Sequence, residues 1–264
     1  MEPRIRSNRH MPRFVRASTL MAIVGVTLTP GPLESQAAGG RGRVADLGIR
    51  WIEVEGGTFT MGSDNSARQV TVGRFMMSAT EITFDQYDAF CDATGKVQPD
   101  DNGWGRGTRP VLNVSFDDAV EFAEWLSQET GSAVQLPTEA EWEYAAQGGR
   151  YSRGFIHSGG NDKDEVSWNE DNSLGRTHPV GTKKPNELGL FDMSGSLWEW
   201  CADAPDVNPT GSQAEPRDAG SDLKRAVRGD SFDNPGSSLG FKLSVRLDRD
   251  SRHYNIGFRV VKKE

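Results

Sequence analysis

The stretch from Pro185 to Ala202, PNELGLFDMSGSLWEWCA, sets the tightest condition on how this chain can fold, because it demands bending and burial at once. Gly189, Gly195, Asn186 and Ser194 turn the backbone, while Leu190, Phe191, Met193, Leu197, Trp198 and Trp200 belong inside a core. A chain that turns within an apolar interior must satisfy its own amides and carbonyls. Two readings meet that demand. Asp192 and Glu199 offer carboxylates with carbonyls between them, a donor set suited to a hard cation such as Ca²⁺. Alternatively, the stretch is a core strand entered through a turn, with its carboxylates simply solvated.

The flanking sequence has the patterning of a loop-rich mixed domain. Thirty Gly, 13 Pro and 7 Trp point to irregular segments pinned by buried aromatics, and 35% hydrophobic content in 264 residues suffices for one core. A net charge of -8 with both signs interspersed provides no basic stripe, which excludes nucleic acid as the expected partner. Cys91 and Cys201 form no CxxC and no repeated spacing; both sit beside aromatics and read as unpaired buried thiols, with a single disulfide as the alternative.

Residues 1–37 have the three-part layout of a secretion signal. Arg4, Arg6, Arg9, Arg13 and Arg16 precede an apolar run from Leu20 to Leu28, Pro30-Gly31-Pro32 breaks it, and Ser35-Gln36-Ala37 supplies small residues for cleavage. The run falls short of the ~20 residues a membrane span needs, so no span is expected after signal removal. The mature chain is expected to start near Ala38 and to work outside the cytoplasm, in a periplasm where the cell has one. Residues 38–48 read as a flexible lead-in, and residues 49–264 as one α+β domain of short strands with about three short helices.

Within that domain, Trp51 to Val54 and Thr58 to Met61 flank Gly56-Gly57 as in a β-hairpin, and Gln69 to Met77 reads as a further strand. Thr83 with Gln86, Ser115, and Thr138 with Glu141 mark three helix starts, and Gly95 and Gly131 mark two stops. Glu139, Glu141 and Glu143 read as a solvated face of the third helix. The loop from Gln98 to Pro110 around Trp104 reads as surface, with pocket lining as an option; Ala202 to Asp222 reads as a surface insertion.

GLFDMSGSLWEW resembles the GLYDMxGNVWEW signature of the formylglycine-generating enzyme, or sulfatase-modifying factor, family. The resemblance continues in order through GGTFTMGS, ATEITFDQYDAFC, RPVLNVSFDDAVEFAEWLS, LPTEAEWEYAAQGG, HPVGTKKPNELGL and the closing RGDSF to NIGFRVV segment, covering nearly everything from Trp51 onward. It implies a single domain of the family's C-type-lectin-like type. It also implies structural calcium held by the side chains of Asp192 and Glu199 with the carbonyls of Gly195 and Leu197. A second calcium is implied, more loosely, at Asn172 and the Leu174 carbonyl.

The catalytic members of that family oxidise a substrate cysteine to formylglycine with copper and oxygen, using two cysteines in the segment after RGGS. Aligned on Arg228, Gly229 and Ser231, those positions fall on Asn234 and Leu239, and a Gly of the motif is replaced by Asp230. Cu(I) selects sulfur ligands, so copper is not expected here and no catalytic residue is assigned. The remaining polar set, Asp230, Ser231, Asp233, Asn234, Ser237 and Arg246, suits a groove for a peptide or polar ligand.

The leading expectation is an exported, calcium-stabilised, catalytically degenerate member that binds a protein partner in the cell envelope. The resemblance extends to thiol-less accessory regulators of type VI secretion that act upstream of a membrane threonine kinase. A different oxidase or maturation enzyme acting on a peptide or siderophore precursor, with Asp230, Asp233 or Glu141 as base, is the alternative. A glycan or surface binder is the third.

Overall fold

A computed structural model describes residues 47–63, 67–203, 223–236 and 240–263. The expected secretion signal and most of the expected lead-in and Ala202–Asp222 insertion lie outside the described residues, as do Ser237 and Leu239. Among the described residues no helix is long and apolar enough to cross a membrane.

Three helices begin where their caps are encoded. Strands β1 (Trp51–Val54), β2 (Gly57–Met61), β3 (Arg68–Val72) and β4 (Phe75–Ser78) precede α1 (Phe84–Thr94) and α2 (Phe116–Thr130). Then come β5 (Val134–Gln135) and α3 (Glu139–Ala146). Thr83, Ser115 and Thr138 each accept from the amide three residues on while that residue's side chain reaches back, closing reciprocal capping boxes with Gln86, Asp118 and Glu141. Gly95 and Gly131 end α1 and α2 in left-handed conformations at φ 74° and 70°. A short 3₁₀ turn at Gly149–Tyr151 and the four-residue α4 (Lys163–Val166) follow. The chain closes with β6 (Trp198–Trp200), β7 (Lys224–Arg228), β8 (Ser244–Asp248), β9 (Ile256–Gly257) and β10 (Val261–Lys262).

The strands form a four-stranded sheet in the order β1-β4-β10-β5, a hairpin of β2 and β3, and a second four-stranded sheet in the order β8-β7-β6-β9. Only the β6–β9 pair of these is parallel. The expected β1–β2 hairpin does not form: β1 pairs with β4, and β2 pairs with β3. The reason lies at Gly56-Gly57, where added Cβ atoms would stand 2.6 Å from the Val72 carbonyl oxygen and 2.5 Å from the Tyr144 hydroxyl. These glycines let the chain pass tightly between neighbours instead of turning it back. The single strand expected over Gln69–Met77 is likewise two, broken at Gly73-Arg74 so that each half serves a different sheet.

One core cluster joins α1 and α2 to the second sheet. Tyr87 stacks on Phe122 with centroids 5.7 Å apart, Phe90 meets Phe122 edge-on, and Trp200, Val227 and Phe258 complete the interior. The other cluster packs α3, the β2–β3 hairpin and the Leu190–Met193 segment around the fully buried Trp142. Cys91 lies in the first cluster and Cys201 in the second; both are free and buried, as their aromatic neighbours implied.

Candidate functional site

The Asp192–Glu199 loop is threaded through the interior. Asp192 and Ser196 adopt left-handed backbone (φ 60° and 65°), and a Cβ at Gly195 would meet the Trp168 carbonyl oxygen at 2.2 Å. Gly195 N donates to the Gly229 carbonyl, Ser196 N to the Trp168 carbonyl, and Leu197 N to Glu81 Oε1 at 3.1 Å. The solvated alternative for its carboxylates fails, because Asp192 is 3% exposed and Glu199 fully buried.

Glu199 is engaged at both oxygens. Arg259 Nη2 donates to Oε1, while Arg259 Nε and Trp142 Nε1 donate to Oε2, each at 2.7 Å. Asp192 Oδ2 accepts from Gly181 N at 2.7 Å, and Asp192 Oδ1 is buried with no hydrogen-bond partner. Glu81, buried beside them, pairs with Ser196 Oγ and the Leu197 amide. Three buried carboxylates thus share one buried guanidinium. Burial pushes Asp192 up to about 6, against the Gly181 amide and Arg259. Glu81 is raised well above the usual carboxylate range by burial and then by Asp192 and Glu199. Among the described residues no three His, Cys, Asp or Glu side chains converge as a metal-binding group, so a cation here requires main-chain carbonyls. Glu81, which sequence reasoning left unremarked inside ATEITF, completes this cluster.

The second region is the turn that follows β7. Gly229 (φ 106°) and Asp230 (φ 59°) reverse the chain, and all of Arg228-Gly229-Asp230 is buried. Ser231 Oγ bonds Asp233 Oδ1 at 2.5 Å and Asn234 Oδ1 at 2.7 Å, while Ser231 N donates to Asn234 Oδ1 at 2.9 Å. Asp233 also accepts from Tyr254 Oη at 2.8 Å and from Asn255 Nδ2 at 3.2 Å. Asp230 Oδ2 accepts from Gly240 N, its Oδ1 is buried without a partner, and burial raises its carboxyl to about 6.

The network brings Ser231, Asp233 and Asn234 together, with Asp230 adjoining in sequence. Arg246 is held elsewhere, bonded through Nη2 to Glu139 Oε2 at 2.6 Å. Glu139 and Glu143 both pair with Arg228, so the solvated helix face is corrected: Arg228 of β7 and Arg246 of β8 close over Glu139 and Glu143, and Glu141 is buried as well. Burial alone would raise Glu139, but Arg246 and Arg228 together outweigh it and hold the carboxyl below its ordinary range. Glu141 serves as cap and salt-bridge partner, its Oε2 accepting from Thr138 N and its Oε1 facing Lys263. Asn172 Oδ1 accepts from Asn169 N, and Leu174 is exposed in left-handed backbone. Trp104, Tyr254 and Asn255 border the turn. Trp104 was legible only as a loop aromatic, and the Tyr254-Asn255 pair carried no sequence signal.

A loop-rich α+β domain whose β7 turn sits beside a buried, strained WEW loop defines a formylglycine-generating-enzyme-like protein. Residues 46–264 match the sulfatase-modifying factor enzyme 1-like domain, and the chain belongs to that family. It is 35% identical over 175 residues to a formylglycine-generating enzyme of Streptomyces coelicolor, covering 60% of this chain and 54% of that one. It is 32% identical over 201 residues to the chaperone protein LppX of Paenibacillus barcinonensis (57% and 70% covered). It is 29% identical to the serine/threonine-protein kinase Pkn1 of Chlamydia trachomatis, over 58% of this chain and 27% of the kinase. PvdO from Pseudomonas aeruginosa superposes with a TM-score of 0.71 at 25% identity, over 87% of this chain and all of that one.

Proposed function

We propose that the protein is an exported, calcium-stabilised, catalytically degenerate member of this family that holds a protein partner at the β7 turn. The observation that carries the reading is Asn234. At the position matched to a copper-binding cysteine, an amide oxygen already accepts from Ser231 N and shares the Ser231 hydroxyl with Asp233. No soft ligand stands there for Cu(I). Cys91 and Cys201 are buried in separate core clusters, and burial raises both thiols, leaving neither as a ready thiolate.

Calcium suits the interior loop. The orphaned Asp192 Oδ1 and the surplus of buried carboxyl groups over guanidinium fit a hard cation, with the Gly195 and Leu197 carbonyls as further ligands. Glu199 would contribute through lone pairs not used by Arg259 and Trp142. At Asn172 and Leu174 a second ion would compete with the Asn172 cap of Asn169. Bound calcium supplies charge neutralisation and cross-linking of the loop, and no chemistry is assigned to it.

The relatives support a role among proteins: one bears the name of a chaperone, and another that of a serine/threonine-protein kinase. Accessory regulation of type VI secretion, upstream of a membrane threonine kinase in the envelope, is the most concrete setting. Affinity capture from an envelope extract with calcium tests it. A specific partner, lost when Asn234 is replaced by Trp, is expected; recovery of nothing above background sinks the proposal.

A second reading is favoured by Asp230, a buried acid raised to about 6 and therefore poised as a base near neutral pH. It makes the protein an oxidase or maturation enzyme for a peptide or siderophore precursor. Loss of product in Asp230→Asn with the fold intact decides for it.

A further inference from the structure

The corner of the β7 turn has the chemistry of a receptor for a cation. Asp233 is held by three neutral donors, Ser231 Oγ, Tyr254 Oη and Asn255 Nδ2. Among the described residues no Lys, Arg or His pairs with it. Lys163 pairs with Asp164 and Asp171, Arg246 with Glu139, Arg249 with Asp117 and Arg252 with Asp118. Its charge is fixed in place by hydrogen bonds but not neutralised.

Three aromatic rings stand beside this carboxylate. Trp104 meets Phe232 at 5.4 Å and 85°, and Tyr254 at 6.4 Å and 83°; Phe232 and Tyr254 lie 6.1 Å apart. Phe232 is buried and fixes the floor, whereas Trp104 is half-buried and Tyr254 is 47% exposed. Gly103 and Gly105, at φ 70° and 95°, carry Trp104 to this position. Near-perpendicular rings turn faces as well as edges toward their surroundings, and the negative face of Trp or Tyr attracts a cation within about 6 Å. The hydrogen bond to Asp233 and the charge of Asp233 raise the Tyr254 phenol, so it stays a protonated donor and leaves the site's one negative charge on the carboxylate.

We propose that Asp233, with Trp104 and Tyr254, receives the side-chain cation of an arginine or lysine from the partner polypeptide. The inference rests on the protein-binding reading and names the chemistry of what is bound. Guanidinium is the better fit, because its plane can stack on Trp104 while its N–H groups reach the outer lone pairs of Asp233.

The test is a titration of the folded protein with the capped peptide acetyl-Ala-Arg-Ala-amide, read by Trp104 and Tyr254 resonances in NMR spectra. The isosteric citrulline peptide and the free small cation guanidinium serve as comparisons. The arginine peptide is expected to bind at least about tenfold tighter than its citrulline twin, with affinity falling as salt rises. Asp233→Asn, which preserves shape and removes the charge while exchanging one acceptor oxygen for an amide donor, is expected to abolish that preference. Trp104→Ala, on a surface loop, is expected to weaken both peptides. Guanidinium binding as tightly as the peptide means a small-cation site and overturns the polypeptide assignment. Equal binding of both peptides overturns the proposal, as does no perturbation up to about 10 mM, beyond the millimolar range of a single weak contact. The outcome is independent of envelope capture: a captured partner bound equally by Asp233→Asn defeats this inference and leaves the protein-binding reading standing.

Discussion

The interior loop at Asp192–Glu199 and the corner at Ser231–Asn255 are both acidic, and both are built on turns with left-handed residues. They handle charge in opposite ways. In the interior, Glu199 is locked to Arg259 at two points, while burial and neighbouring carboxylates push Asp192 and Glu81 toward their protonated, neutral forms. At the corner, Asp233 is half-exposed, its donors are neutral and its charge faces outward. A buried charge without compensation acts on stability, whereas an exposed one acts on recognition. The first region should therefore govern whether the protein stands, and the second what it touches.

Removing the compensating cation breaks that comparison most directly. Arg259→Met leaves Glu199 buried without its guanidinium partner, and a loss of about 3–5 kcal/mol is expected in denaturant unfolding. A loss below about 1 kcal/mol would mean that the cluster is already protonated or hydrated.

Calcium comes next. Saturation at 100 times its dissociation constant should add about 2.7 kcal/mol, seen as a higher melting temperature that chelator reverses. Asp192→Asn should erase most of this gain and Asp233→Asn none of it. An unchanged melt on chelation removes calcium from the interior loop.

Without calcium, the protonation of Asp192 and Asp230 gives a signed effect of comparable size. Both carboxyls stand at about 6 in the fold, above the ~3.9 of an unfolded Asp. The folded state then holds protons that the unfolded state releases. Their contribution is complete below pH ~4 and is lost as pH rises through about 6. In chelator, unfolding at pH 5 should accordingly require more denaturant than at pH 7.5, by on the order of 2–3 kcal/mol. Calcium should narrow the gap, since it binds the ionised Asp192. A stability that rises over this interval contradicts the assignment.

The smallest effect belongs to the corner. Asp233→Asn should change stability by less than about 0.5 kcal/mol, because its partners are neutral and the site is partly wet. A cost several times larger would make Asp233 a structural residue like Glu199 and dissolve the contrast.

Local chemistry in the sequence carried the helices and the family. The capping pairs at Thr83, Ser115 and Thr138 and the terminal glycines at 95 and 131 specify helix ends through contacts within one turn, and all appear where the residues placed them. The burial of the tryptophans around WEW was equally plain, since a single indole N–H is a small polar group against so much apolar surface. Asn234 and Asp230 already stood as departures from the catalytic pattern.

Partner choice was decided only by tertiary structure. Gly56-Gly57 looks like a turn to its neighbours in sequence, and its function as a close crossing depends on Val72 and Tyr144. Arg246 reads as a groove residue until Glu139, from a helix 107 positions away, takes its guanidinium. The Glu139–Glu143 run reads as a wet face until Arg228 and Arg246 are laid over it. Periodicity and caps are short-range and survive in the one-dimensional record. The pairing of a buried charge is a long-range contact, and no local pattern reveals which arginine closes on which carboxylate.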